Sequence, residues 1–206
     1  IMPNNENSGI LIYAQLTREE YIHTVFFELV DKAKELAQKL GGTEVKAVLI
    51  SRPHLIDSFK ESFQNMGLSK VYYFESEELK EYSTEYHSKL IVDLVQNIKP
   101  EILLIGATNQ GRDLAPRVAS ALGTGLTADC TGLDINEKGQ LAATRPTFGG
   151  QLMATILCKN YPQMATVRPN VFKVNSVSDK ANTEFIPCPA NIIGMKKHVQ
   201  LLSFQR

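Results

Sequence analysis

A chain of 206 residues with 22 basic and 22 acidic side chains, 43% hydrophobic and 21% charged, lacks the basic excess that a broad nucleic-acid surface requires. The length suits one domain, or one domain plus an appendage, and can bury roughly 70% of the unfolded surface without staples. No apolar run approaches the roughly 20 residues of a membrane-spanning helix. Cys130, Cys158 and Cys188 are odd in number, widely spaced and form no C-x-x-C pair. That pattern predicts reduced thiols and an intracellular, cytoplasmic setting (the mitochondrial matrix in a eukaryote).

Residues 1–8 are polar and are expected to be disordered. Residues 9–16 (GILIYAQL) form an apolar run that predicts a buried parallel strand. Thr17 is placed to cap the next helix, with Glu19 and Glu20 favouring its N-terminus. Ile22, Val25, Phe26, Leu29, Val30, Ala33, Leu36, Ala37 and Leu40 then make one apolar stripe, which Gly41 and Gly42 end. A second strand is predicted over 44–51 and a second helix from Leu55 to Met66. A third strand covers 70–75, a third helix carries Leu90 to Ile98, and a fourth strand covers 102–106. Strands alternating with helices predict an α/β fold with right-handed crossovers: a parallel sheet with helices on both faces.

From Pro100 to Val174 the pattern changes. A short helix is expected to start near Asp113, which would put Pro116 in its first turn. Leu133 to Ile135 and Leu141 to Thr144 flank Asn136-Glu-Lys-Gly139, which predicts a hairpin, so antiparallel strands enter in the C-terminal third. Residues 151–158 and 164–167 continue the strand series. Residues 175–182 are polar and expected on the surface, and 199–204 are one more strand candidate.

The motifs that would announce an enzyme are missing. There is no G-x-G-x-x-G after the first strand, no P-loop and no G-x-S-x-G elbow. His23, His54, His87 and His198 lie far apart, so neither a metal site nor a catalytic constellation is predicted. Asp129, beside Cys130, reads as a hydrogen-bonded structural carboxylate. Gly111-Arg112-Asp113, with Arg117 nearby, could hold an anion or simply make a βα turn. Arg145 and Arg168 each precede a proline at the end of a strand. With Phe148, Gly149 and Gly150 they suggest a surface for a partner chain or a phosphate-bearing ligand.

These motifs occur in a series that resembles one family. Gly106-Ala-Thr-x-x-Gly-Arg-Asp-Leu, Pro116-Arg-Val-Ala, Leu122-Gly-Thr-Gly-Leu-Thr-Ala-Asp-Cys130, Arg145-Pro-x-Phe-Gly-Gly150, Met153-Ala-Thr-Ile and Gln163-Met-Ala-Thr-Val-Arg-Pro169 are similar to the alpha subunit of electron transfer flavoprotein. The resemblance implies an adenine-nucleotide-hydrolase-like parallel sheet and an alpha–beta heterodimer. It further implies FAD as the electron carrier, served by acyl-CoA or related dehydrogenases as in fatty acid oxidation. Some members split electron pairs, using a second flavin held mainly by the beta subunit. In the family a separate C-terminal domain of the alpha subunit chiefly holds the FAD. Arg206 falls about where that domain would begin, so residues 9–174 are expected to be the α/β N-terminal domain. Residues 175–206 would be a loop and final strand leading to an FAD domain that the sequence lacks. The resemblance therefore implies FAD in the full-length protein and none tightly bound to this stretch. It transfers no FAD-contacting residue, and leaves Arg112, Arg145, Phe148, Gly149, Gly150 and Arg168 as candidates for the beta-subunit interface. The alternative is a free-standing adenine-nucleotide-binding domain of the same fold, because fold alone does not choose between them.

Overall fold

The computed structural model describes residues 7–174, 181–196 and 199. Among the described residues, ten strands and four α-helices follow one another. The first part runs β1 (Ile10–Ala14), α1 (Val25–Lys39), β2 (Val45–Ser51), α2 (Lys60–Asn65), β3 (Lys70–Glu75), α3 (Thr84–Ile98) and β4 (Ile102–Gly106). It continues through α4 (Asn109–Leu122), β5 (Leu126–Cys130), β6 (Gly132–Ile135), β7 (Leu141–Thr147), β8 (Leu152–Leu157), β9 (Gln163–Val167) and β10 (Glu184–Cys188).

Seven strands form one sheet in the order β10-β3-β2-β1-β4-β9-β5, every neighbouring pair parallel. The chain steps outward from β1 through β2 to β3, then returns across β1 to place β4 on its other side. The expected α/β class, with helices on both faces, is what the structure contains. The pleat sorts the side chains. Ile10, Ile12, Ala47 and Leu49 face α1 and α2, packing on Phe26, Leu29, Leu36 and Phe63. Leu11, Tyr13, Val48 and Leu103 face α3 and α4, packing on Leu90, Leu94, Leu114 and Val118. Phe26, Leu29 and Leu36 are wholly buried, and each contributes about 1.5–3 kcal/mol by leaving water.

β6, β7 and β8 form a separate antiparallel sheet, with Ile135 opposite Leu141 across the expected turn. Asn136 closes that turn by exchanging backbone bonds with Gln140 and Gly139. Leu133, Leu141 and Ala143 join the core on the α1 side, so β6 and β7 are anchored. β9 does not continue this antiparallel series. It returns to the main sheet between β4 and β5.

Three helix boundaries differ from expectation, each for a local reason. Thr17 does not cap α1. Its hydroxyl accepts the Tyr21 N–H (3.2 Å) inside a turn that brings Leu16 beside Ile22, and α1 begins only at Val25. The second helical segment is a single 3-10 turn at 56–58 followed by the short α2. α4 begins at Asn109, four residues before Asp113, because the Thr108 hydroxyl accepts the Gly111 N–H (3.0 Å) as an N-cap. Pro116 consequently lies past the second turn, not in the first. β5 and β10 are strands that the apolar pattern does not announce, and β10 brings residues beyond 174 into the parallel sheet against β3. The candidate strand at 199–204 lies, apart from Val199, outside the described residues.

The β4–α4 junction depends on two close approaches. A Cβ on Gly111 would stand 1.8 Å from the Gly106 carbonyl oxygen, and one on Gly106 would stand 2.3 Å from Val25 Cγ1. Gly111→Ala should therefore cost about 2 kcal/mol or more, since backbone must move to admit the methyl. The measurement is a urea unfolding midpoint at unchanged slope; a midpoint equal to the parent's would mean that α4 does not need to sit so close to β4.

Candidate functional site

The C-terminal end of β5 gathers three of the six candidate residues, Arg112, Arg145 and Arg168, around Asp129 and Cys130. Asp129 adopts φ +58, where a non-glycine residue is held by its surroundings. Its N–H donates to Thr166 Oγ1 of β9 (2.9 Å), and its carboxylate accepts from Arg112 Nε of α4 (3.0 Å). The structural reading of Asp129 is thus the one observed. The Gly111 N–H is taken by Thr108, and Arg112 is paired with a carboxylate, so this stretch is a packed βα turn and not a vacant anion cradle.

Cys130 follows, fully buried, its thiol against the Thr127 carbonyl (3.3 Å). Burial pushes that thiol up to about 12, with the charge of Arg145 opposing the shift and that of Asp129 adding to it. It is an inert core thiol and not a nucleophile. The Cys130 carbonyl accepts the Arg168 N–H (3.1 Å), and Thr131 N bonds to the Thr144 carbonyl (2.8 Å), one residue before Arg145. Arg112, Arg145 and Arg168 therefore approach one strand end from α4, β7 and the segment after β9. Arg145 Nε is buried and has no hydrogen-bond partner among the described residues. Arg168 is exposed.

Phe148, Gly149 and Gly150 lie elsewhere. They form the 3-10 turn joining β7 to β8, with Phe148 at φ +48 and 78% exposed. They stand at the tip of the β7–β8 ribbon, beyond Arg145, which pairs with Ala154. β8, the outer strand of that ribbon, falls within the expected strand at 151–158, but its exposure is a feature that pattern reading misses. Its sequence, LMATIL, carries apolar side chains on both pleat faces, which ordinarily marks a buried strand. Yet Leu152 is 60% exposed, and Met153, Ile156 and Leu157 also stand out in solvent.

A second unannounced residue fixes the loop after β9. Glu28 in the first turn of α1 is 4% exposed. Its Oε1 accepts the Asn170 N–H (2.9 Å), and its Oε2 accepts those of Val171 and Phe172 (3.0 Å each). Asn170 takes φ +63 to present three successive donors to one carboxylate. The only sequence signal is an acid three residues after Val25, beside the apolar stripe. Among the described residues no group of three His, Cys, Asp or Glu side chains could hold a metal ion, and no helix is long and apolar enough to cross a membrane.

Comparison with known proteins agrees with this architecture. The model of the electron transfer flavoprotein domain matches residues 10–191. The electron transfer flavoprotein alpha subunit of Clostridium acetobutylicum is 47% identical over 86% of this chain and 52% of its own length. That of Thermoanaerobacterium thermosaccharolyticum is 43% identical over 98% of this chain and 60% of its own length. The LctC subunit of the lactate dehydrogenase (NAD(+),ferredoxin) of Acetobacterium woodii is 42% identical over 80% of this chain and 38% of its own length. The chain spans about half to three-fifths of the length of the two alpha subunits it matches. It belongs to the electron transfer flavoprotein family and is of the alpha type.

The Glu28 clasp makes a specific demand on stability. Glu28→Gln leaves one acceptor oxygen for three partly buried donors and should cost about 2 kcal/mol, the range for hydrogen bonds to a charged group. Amide exchange at Asn170, Val171 and Phe172 should quicken in the same variant, read by NMR. Unchanged exchange at all three would show that the loop is held by something else.

Proposed function

We propose that this chain is the docking platform of an electron transfer flavoprotein alpha subunit, which packs against a beta subunit and supports FAD-mediated electron transfer. β8 is the observation that carries this reading. Four apolar side chains on one exposed strand, with Phe148 at its tip, are more than a monomer ordinarily leaves in water, and such patches mark partner surfaces. Arg145 of β7, with Arg112 and Arg168 beyond the end of β5, supplies the polar, charged margin that interfaces favour.

On this reading the chain is an electron-carrier subunit and not a catalytic enzyme. FAD belongs to the full-length protein, held chiefly outside the residues seen here, and the cofactor performs the electron chemistry. The folded body, residues 9–174 together with β10, would stay fixed on the beta subunit. Its donors would be acyl-CoA or related dehydrogenases. The printed name of the Acetobacterium woodii relative supports a wider range of donors than acyl-CoA enzymes alone. A cytoplasmic setting is supported by three free cysteines, at Cys130, Cys158 and Cys188.

Titration of the chain with its beta subunit, followed by calorimetry, tests the platform. Phe148→Ala and Leu152→Glu should each weaken association by roughly thirty-fold, equivalent to about 2 kcal/mol. Arg145→Ala should weaken it as well. Because Phe148 and Leu152 are exposed, neither variant should lower the unfolding midpoint of the free chain. Affinity unchanged in all three would take β8 and Arg145 out of the interface.

A further inference from the structure

Several polar groups at the C-terminal end of the sheet answer one another. In the cleft of about 1190 Å³ at the switch point between β1 and β4, Thr108 Oγ1 donates to Gln15 Oε1 (2.6 Å) and Gln110 Nε2 donates to Tyr13 Oη (2.8 Å). At the end of β5, Asp129 has Arg112, and Glu28 has the three N–H groups of its clasp. Arg145 is different. Its Nε is buried without a hydrogen-bond partner, and among the described residues no carboxylate forms an ion pair with its guanidinium.

The pleat explains how the guanidinium comes to be there. Leu141 and Ala143 of β7 point into the core, and Arg145, two residues further on, continues that face as the core ends. Its cross-strand neighbour is Ala154 of β8, whose small side chain leaves room for the arginine stem. The fully buried Cys130 thiol lies close enough to feel the arginine's charge, and it is neutral, so it cannot balance that charge. Asp129 cannot do so either, being bonded to Arg112. Arg168, exposed at the same strand end, adds positive charge. A partly buried guanidinium without a partner is costly, and the cost is lifted when an anion is brought to it.

The surroundings restrict what that anion is. A guanidinium fits a carboxylate or a phosphate. Phosphate sites are ordinarily completed by free backbone N–H groups, and here the Gly111 N–H is held by Thr108 and the Arg168 N–H by the Cys130 carbonyl. A single carboxylate needs only the guanidinium. β8 indicates where it comes from. Leu152 and Ile156 flank Ala154 on the pleat face that carries Arg145, and both are exposed. A chain laid on that face sets its own side chains beside the guanidinium. We propose that Arg145 receives an Asp or Glu side chain of the beta subunit, in an ion pair that is completed only in the complex. The pair rests on the docking reading and names the group that the partner must bring. Apolar β8 supplies contact area, and the pair supplies selectivity, because a partner without the acid leaves a charge buried and unmatched.

Calorimetric titration of the chain with its beta subunit tests the pair. Arg145→Met keeps the apolar stem and removes the charge. It should weaken association at least about ten-fold, while the urea midpoint of the free chain stays level or rises, because an unmatched charge has gone. Arg145→Lys keeps the charge but not the planar fork, and should recover only part of the affinity. The beta subunit's Asp and Glu residues are then replaced one at a time by Asn and Gln. One replacement should weaken the parent complex about ten-fold and the Arg145→Met complex less than about two-fold, the non-additivity of a direct pair. The proposal is overturned if no acid behaves in this way, or if Arg145→Met binds like the parent. A lowered midpoint in Arg145→Met overturns it too, by making the residue structural. So does saturable binding of inorganic phosphate to the free chain that Arg145→Met abolishes, since the site would then serve a phosphate. Leu152→Glu separates this proposal from the platform. Association weakened by Leu152→Glu alone keeps the platform and removes the pair; association weakened by Arg145→Met alone keeps the pair and takes β8 out of the interface.

Discussion

One buried carboxylate ties the two halves of this molecule together. Glu28 leaves the first turn of α1 and closes on three consecutive backbone donors 142 to 144 residues further along the chain. Burying a charge is costly unless its lone pairs are matched, and here both oxygens are matched by N–H groups that would otherwise be unpaired in a partly buried turn. The clasp fixes where the chain goes after β9. Arg168 leaves β9 bonded to the Cys130 carbonyl and enters the clasp two residues later. That places Arg168 relative to Cys130, and so relative to Asp129 and Arg112. The arrangement at the end of β5 is thus set by a helix that packs over β1 and β4 in the middle of the sheet and against β6.

What was legible in the amino-acid sequence follows from how local each signal is. The stripe from Ile22 to Leu40 yields α1 because a 3.6-residue period needs no tertiary information. The turn at Asn136–Gly139 yields a hairpin because its own backbone and side-chain bonds close it. β5 was not legible because Thr127 and Asp129 interrupt its apolar run, and Asp129 sits in a register irregularity against β9. β10 contains Pro187, which ordinarily argues against a strand. It is tolerated because β10 lies at the sheet's edge, where one side needs no donors. The start of α4 is not legible because Thr108-Asn-Gln-Gly reads as a turn, and the Thr108 cap on the Gly111 N–H together with the close packing of Gly111 on β4 makes it helix.

The candidate residues divide along the same line. The sequence puts Arg112, Arg145 and Arg168 on glycine- or proline-marked loops. Arg112 instead lies in α4 and Arg145 within β7 opposite Ala154, because Pro146 is tolerated in the strand, yet the fold does bring all three towards one strand end. The burial of Glu28 and the exposure of β8 are illegible in the sequence for opposite reasons. A lone Glu in a helix is normally solvated, so nothing local distinguishes the one that is buried. A strand apolar on both faces is normally buried, so nothing local marks one that is bare. Both exceptions become visible only when long-range contacts are known, through what Glu28 reaches and what β8 fails to reach.

β8 and the switch-point cleft make unequal physical demands. An exposed apolar strand is a standing liability for aggregation, because its outer edge and both faces can pair with another chain. Sequences normally blunt such an edge with charge or proline, and LMATIL has neither. Retaining it makes sense where a partner covers it for most of the chain's life. The cleft, by contrast, is polar, braced by two side-chain hydrogen bonds, and stable in water whether or not it is filled. An exposed apolar strand of this kind gains by lasting cover, whereas a polar cleft braced by its own hydrogen bonds gains nothing from it. A parallel sheet can hold both because the ribbon springs from the β5 edge, while the cleft sits between β1 and β4 near the middle.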